Sequence, residues 1–286
     1  MITYPQAVID WLEDNDFGSI TSSRSVAGGC INNGSVLKTS SGKTFFIKMN
    51  RHTPADMFER EAEGLRVLRT EEGPFVPESF LHGPDFLLME DLNPGNRCSE
   101  YWSLFGRQLA SLHNHTQSLF GFSNDNYIGS TPQPNPWTED GYTFFAEQRL
   151  MFQARLANGR GLLVSSDVRR VEDVCVLLPE LVPSQPASLS HGDLWSGNAT
   201  MDKDGNPTII DPAAHYGWAE AELAMTTLFG SFPGTFYQAY QEVRPLPPGY
   251  EDRFPIYNLY HLLNHVNLFG SGYLSQTLST LKRIIG

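Results

Sequence analysis

Residues 189 to 198 read LSHGDLWSGN and place His191, Asp193, Trp195 and Asn198 within eight positions. The chain continues as NATMDKDGNPTIID, residues 198 to 211, two short β-type runs around Asp204-Gly205. That dipeptide predicts a hairpin turn. A hairpin returns its two ends to one place, so Asn198 and Asp211 should face one small volume beside Asp193. One amide oxygen and two carboxylates make an oxygen-rich site of the kind that holds Mg²⁺ together with the phosphates of a substrate.

The elements that must position these groups divide the chain in two. An opening amphipathic helix pairs Val8 with Trp11 and Leu12, and GSVLKTS and KTFFIKMN then read as a hairpin turning at Ser-Ser-Gly. A helix from about Asp56 to Arg69 carries Met57, Ala62, Leu65 and Leu68 on one face, and DFLLMEDL reads as a buried strand. Beyond residue 92 the chain turns helical, with candidates at 99–113, 142–157, 166–178, 219–230 and 255–270. Prolines 179, 183 and 186 mark a loop before the opening stretch. The expected fold class is α+β: a small β-rich lobe over residues 1–91, a larger helical lobe over 92–286, and a cleft between them as the natural site.

At 286 residues, with 40% hydrophobic and 12% aromatic content, the chain is long enough for two packed lobes. Its formal net charge of −12 argues against a nucleic-acid partner, which needs a basic face. Cys30, Cys98 and Cys175 are odd in number and far apart, which reads as free thiols in a reducing compartment. The amino terminus has no signal-peptide pattern, and the uncharged run Ile256–Leu281 is interrupted throughout by Asn and His. No membrane partner is expected, and the cytoplasm is the expected location. His113 and His115 lack partners for a metal site, and His113 should end a helix.

The order Asp193, Asn198, Asp211 also resembles the protein-kinase arrangement, in which an Asp is followed after four residues by an Asn and then, past a hairpin, by a metal-binding Asp. Upstream, FFIKMN supplies Lys48 on a strand, and Glu59, Glu61 and Glu63 on the next helix compete to hold it extended toward phosphate. A phosphate-covering loop would fall on Gly29, Ile31, Gly34 and Val36, with Cys30 inside it and the middle glycine of the template missing. SSGKT at 40–44 is not a Walker loop, because its first glycine would have to be Leu37.

In order along the chain, GGCIN, FIKMN, TPQPNPW at 131–137, TFFAEQRL at 143–150, HGDLWSGN and DPA at 211–213 resemble the fructosamine-3-kinase, or ketosamine-3-kinase, family. This family belongs to the small-molecule branch of the protein kinase-like fold, beside the aminoglycoside phosphotransferases. The resemblance covers nearly the whole chain. It implies ATP- and Mg²⁺-dependent phosphorylation of the sugar O3 of ribulosamine, erythrulosamine or fructosamine adducts, after which the unstable phosphate releases the amine. It selects Glu61 as the partner of Lys48 and implies that Asp193 orients or deprotonates the sugar hydroxyl. Backbone groups of Glu90 and Leu92 should meet the adenine with Met89 behind it, and His191 should support the loop. Glu222 resembles the acidic residue that braces that loop. Trp195 either packs on a sugar face or braces the loop, and Trp218, where the family pattern has a polar residue, falls on the expected substrate rim. A monomer, or a homodimer joined by a Cys30 disulfide, is the implied assembly. The rival readings are a kinase of aminoglycosides, choline-like alcohols or free sugars, and a non-catalytic nucleotide-binding regulator.

Overall fold

A computed structural model describes residues 3–26 and 33–286. Gly29, Cys30 and Ile31, three of the residues proposed to cover phosphate, lie outside the described residues. Helix α1 (Gln6–Asp14) leads into a five-stranded antiparallel sheet of order β1-β2-β3-β5-β4. Its strands are β1 (Ile20–Val26), β2 (Asn33–Thr39), β3 (Thr44–Met49), β4 (Ser79–Gly83) and β5 (Phe86–Glu90), and α2 (Met57–Leu68) connects β3 to β4. Alternation along β3 sends Phe45 and Ile47 to one face, where they meet Val8 and Leu12 of α1 in a small core. Trp11, Phe17 and Phe80 close that core with ring contacts onto Phe45. Phe46 and Lys48 fall on the opposite face. In register, Val36 pairs with Phe46 and Phe46 with Met89, while Lys48 lies between Gly34 and Leu87.

The chain then enters a helical body: α3 (Tyr101–His113), the strand β6 (Thr116–Gln117), the hairpin β7 (Asn126–Ile128) and β8 (Thr131–Gln133), and α4 (Gly141–Phe145). A π-helical turn, Ala146–Met151, separates α4 from α5 (Phe152–Gly159). This interrupts the single helix expected over 142–157. The cause is Arg149, buried with its guanidinium bonded to the Pro134 carbonyl (2.7 Å) and Asn135 Oδ1 (2.7 Å); the wider turn delivers it inward.

Helix α6 (Ser165–Leu181) runs past Pro179, where a loop was expected. Leu178 and Val182 are buried, and the Val182 amide still bonds the Leu178 carbonyl, so packing outweighs the missing proline donor. Strands β9 (Ala187–Ser190), β10 (Ala199–Met201), β11 (Pro207–Ile209) and β12 (His215–Gly217) lie within or beside the segment from His191 to Asp211. They are followed by α7 (Ala219–Leu228), α8 (Gly234–Val243), α9 (Tyr250–Phe269) and α10 (Leu274–Ile285). α9 starts five residues before the predicted position because Glu220 of α7 fastens its first turns, accepting from Arg253 (2.7 Å) and Tyr257 (2.9 Å). β1, β4, the β7–β8 hairpin, α8 and α10 were among the elements not anticipated. Among the described residues no helix is long and apolar enough to cross a membrane.

Candidate active site

Lys48 is buried on β3 and bonds two carboxylates, Glu61 of α2 and Asp211 beyond β11. The competition among the helix acids is thereby decided. Glu59 pairs with Arg60, and Glu63 pairs with Arg60 and with Asn124, so only Glu61 faces the lysine. Burial works to lower the Lys48 pKa, but the charges of Asp211 and Glu61 prevail and hold it above its ordinary value. Glu61 is pushed upward by burial against the pull of Lys48. The ammonium is therefore kept charged and extended into the cleft.

The hairpin expected between Asn198 and Asp211 is present. β10 pairs with β11 through Ala199↔Ile209, the turn glycine Gly205 has φ 84°, and the Ile210 amide bonds the Asn198 carbonyl (3.1 Å). Asn198 and Asp211 therefore sit side by side at its open end, both lining the cleft with Asp193. Asn198 Nδ2 donates to the Asp193 carbonyl (2.8 Å) and toward its carboxylate (3.4 Å), which turns the amide oxygen away from Asp193. Burial, and then the Asp211 charge, push Asp193 up to about 7.

Behind the loop, Glu222 of α7 accepts from the backbone amides of His191 (3.0 Å) and Gly192 (2.6 Å). Burial alone would raise its pKa, yet the bond from His113 and these amides hold it down at about 2, so it is ionised. Because Glu222 is an acceptor, His113 must carry its proton on Nε2 (2.8 Å), leaving Nδ1 to accept from Tyr240 (2.8 Å). His113 does end α3, and its ring is a buried link in this brace. His191 Nε2 bonds the Ile210 carbonyl (2.8 Å), so it ties the loop to the hairpin end, as expected. Gly192 has φ 86°, and a Cβ there would collide with the Ala213 carbonyl, so the closeness of the loop to the 211–214 segment depends on glycine.

Of the residues singled out in the sequence, Gly34, Lys48, Glu61, Asp193, Trp195, Asn198 and Asp211 line one cleft. Val36 and Met89 flank Phe46 on the sheet above it, and Met89 is buried. Glu90 uses its N–H on the Glu78 carbonyl (2.8 Å), so only its carbonyl is available to a base. Trp195 makes an edge contact with Phe229 (6.2 Å). Trp218 corrects an expectation. It is buried among Phe145, Tyr142 and Tyr257, at ring distances of 5.2 to 6.0 Å, and does not reach the cleft. A large apolar ring just before α7 gains more from burial than from a wet rim.

Residues missed in the sequence include Phe46, two places before Lys48 and therefore on its face, a signal that strand alternation offered. Asn264, His265 and Phe269 of α9 also line the cleft; the polar interruptions of the uncharged run Ile256–Leu281 were the only trace of the first two. His265 Nδ1 donates to the His261 carbonyl (2.8 Å), so Nε2 is its free acceptor.

Among the described residues no three His, Cys, Asp or Glu side chains converge as a metal cage. Asp211, with 37% of its side chain exposed, and the Asn198 amide instead offer two oxygens beside open space. That donor set fits Mg²⁺, which is ordinarily held by one or two protein groups plus phosphates and water.

A family model described as fructosamine kinase matches residues 4–286. A Synechocystis sp. protein named "Probable ketoamine kinase" is 45% identical over 92% of this chain and 90% of its own length. The chloroplastic protein-ribulosamine 3-kinase of Oryza sativa subsp. indica is 42% identical over 92% of this chain and 78% of its own. A crystal structure from Thermobifida fusca superposes with a TM-score of 0.88 at 32% identity, covering 99% of both chains. The aminoglycoside phosphotransferase APH(4)-Ia shares the fold, with a TM-score of 0.62 at 13% identity over 99% of this chain and all of its own.

Proposed function

This chain belongs to the fructosamine kinase family, and from that membership we propose that it is an ATP-dependent ketosamine 3-kinase with the cleft above as its active site. The observation that carries the proposal is the convergence of Lys48 from β3, Asp193 and Asn198 from the 191–198 loop, and Asp211 from beyond β11 onto one cleft. In phosphoryl transfer the protein mainly positions groups and offsets charge.

Lys48, held by Glu61, would bind phosphate oxygens. Asp193 would accept the proton of the sugar O3 as that oxygen bonds to the γ-phosphorus and the bond to the departing ADP oxygen breaks. Asn198 and Asp211 would hold Mg²⁺, which would supply positive charge to the phosphates. The Glu90 carbonyl and the Leu92 backbone would meet the adenine beside Met89, and Gly29, Cys30, Ile31, Gly34 and Val36 would be the residues nearest the phosphates. Trp195 would lie against the sugar. Residues 1–91 then form the nucleotide lobe and 92–286 the catalytic lobe. A cytoplasmic monomer, convertible to a reducible homodimer through Cys30, completes the proposal.

An ATP-consumption screen tests it, with ribulosamine, erythrulosamine and fructosamine adducts of lysine as substrates and aminoglycosides and choline as controls. Turnover confined to the ketosamines is expected. Turnover confined to the controls would overturn the substrate assignment while leaving the kinase chemistry standing. No turnover of any of them with bound nucleotide would favour a regulator.

A further inference from the structure

The segment TPQPNPW forms β8 and the loop after it, and it contributes none of the groups assigned above. Its polar side chains are nonetheless buried. Asn126 and Gln133 face each other across the β7–β8 pair, and both are at least nine-tenths buried. Gln133 Nε2 donates to the Ala213 carbonyl (3.0 Å) and to Asn126 Oδ1 (2.8 Å), while its own oxygen accepts from Tyr260 (2.6 Å). Asn126 Nδ2 donates to the Ala214 carbonyl (2.8 Å). Because carbonyls only accept, the two amide nitrogens must face the chain just beyond Asp211. Asn135 Nδ2 donates to Asn126 Oδ1 (3.0 Å), and Asn135 Oδ1 is held in turn by Arg149 (2.7 Å), which locks the hairpin from behind.

The segment that these amides grip is the one that needs gripping. Asp211 has φ 59°, in the left-handed region that a non-glycine residue rarely occupies and keeps only when its surroundings hold it there. The catalytic loop supplies one hold, the Ala213 amide on the His191 carbonyl (2.9 Å). The hairpin supplies two more, on the Ala213 and Ala214 carbonyls, and His215 Nδ1 also bonds the Ala213 carbonyl (3.1 Å). It also reaches α2, the helix of Glu61, through Asn124 on Glu63 (2.9 Å) and Tyr127 on Asp56 (2.7 Å).

We propose that Asn126 and Gln133 are positioning residues that fix the Asp211 carboxylate in its metal-holding orientation. The hairpin then sets the two carboxylate partners of Lys48 in one frame. This rests on the assignment of Asp211 as a metal ligand, and its test reads metal binding, not sugar turnover. Gln133→Leu and Asn126→Asp remove a donor to Ala213 or Ala214 with little change of volume. Mn²⁺ would be titrated by electron spin resonance in the presence of a non-hydrolysable ATP analogue, and the metal-free analogue would be titrated separately. The Mn²⁺ dissociation constant should rise about tenfold in each variant, the scale of one lost buried hydrogen bond, with metal-free nucleotide affinity within about twofold.

Unchanged Mn²⁺ affinity beside a lower melting temperature would make the hairpin a packing element and overturn the proposal. A wild type that takes up no Mn²⁺ with the analogue would overturn the metal assignment and this inference together. If both variants fail to fold, hydrogen exchange on the wild type decides. The 211–216 amides and those of β7–β8 should open as one unit at matching rates, and rates differing by about tenfold or more would overturn the coupling.

Discussion

Asp193→Asn should remove activity and, above neutral pH, stabilise the protein without nucleotide. The amide keeps the shape of the carboxyl group but neither accepts the sugar proton nor carries the charge that Asp211 and Glu222 oppose. Burial and the Asp211 charge raise Asp193 from its ordinary 3.8 to about 7. A pKa raised on folding contributes stability that is present below the unfolded value and lost as pH rises through the folded one. Ionised Asp193 therefore destabilises the wild type at and above about pH 7, and that cost shrinks as pH falls toward the ordinary value of 3.8. The full span from 3.8 to about 7 corresponds to about 4 kcal/mol at about 1.36 kcal/mol per pKa unit. Asp193 is only partly buried and opens onto the cleft, so solvent screening leaves about 1–2 kcal/mol. For a chain of this size that is roughly 2 to 6 °C in melting temperature. Thermal denaturation of both proteins without nucleotide, from acid to about pH 8.5, should show the variant gaining on the wild type as pH rises, with the curves meeting only below the ordinary value of 3.8. In parallel kcat should fall about 10²- to 10⁴-fold with nucleotide binding retained. A pH-independent difference in melting temperature, or a variant keeping more than about half of kcat, would refute the assignment of Asp193 as a catalytic carboxylate whose charge the fold opposes.

Asp211→Ala should raise the Mg²⁺ concentration needed for half-maximal rate by about tenfold or more, and Asn198→Ala should do so less; equal Mg²⁺ dependence in all three proteins would refute the hairpin-end metal site. Glu222→Gln turns an amide nitrogen toward donors it cannot satisfy, so kcat should fall by about tenfold or more with the KM for nucleotide little changed, and stability at pH 7 should drop by about 2 kcal/mol. Because the Glu222 pKa is depressed to about 2, its contribution is present above the ordinary carboxylate range and lost on acidification toward pH 2, so the stability gap to the variant should close in acid. Mild oxidation should inhibit the wild type reversibly and give a reducible dimer, whereas Cys30→Ala should stay active and monomeric. Equal inhibition of both on a paired activity assay and non-reducing gel would remove Cys30 from the account.

What the sequence determined by itself is the chemistry carried on short stretches of chain. Asp193, Asn198 and Asp211 were legible because a turn dipeptide between two β runs brings hairpin ends together whatever surrounds them. Lys48 was legible because the run FFIKMN sets a lysine within a short apolar strand, a local pattern. Tertiary structure alone decided the rest. Lys48 and Asp211 stand 163 positions apart, and no local pattern says which of three glutamates on α2 points toward them; the packing of that helix on the sheet does. The same packing buries Trp218 where an exposed rim was expected, and draws Arg149 inward through a π turn. It also converts TPQPNPW from a family mark into buried amides, of which Gln133 bonds the Ala213 carbonyl 80 residues away. Hydrogen-bond partners of buried polar groups are fixed by which chain segments meet, and that meeting is a property of the folded core.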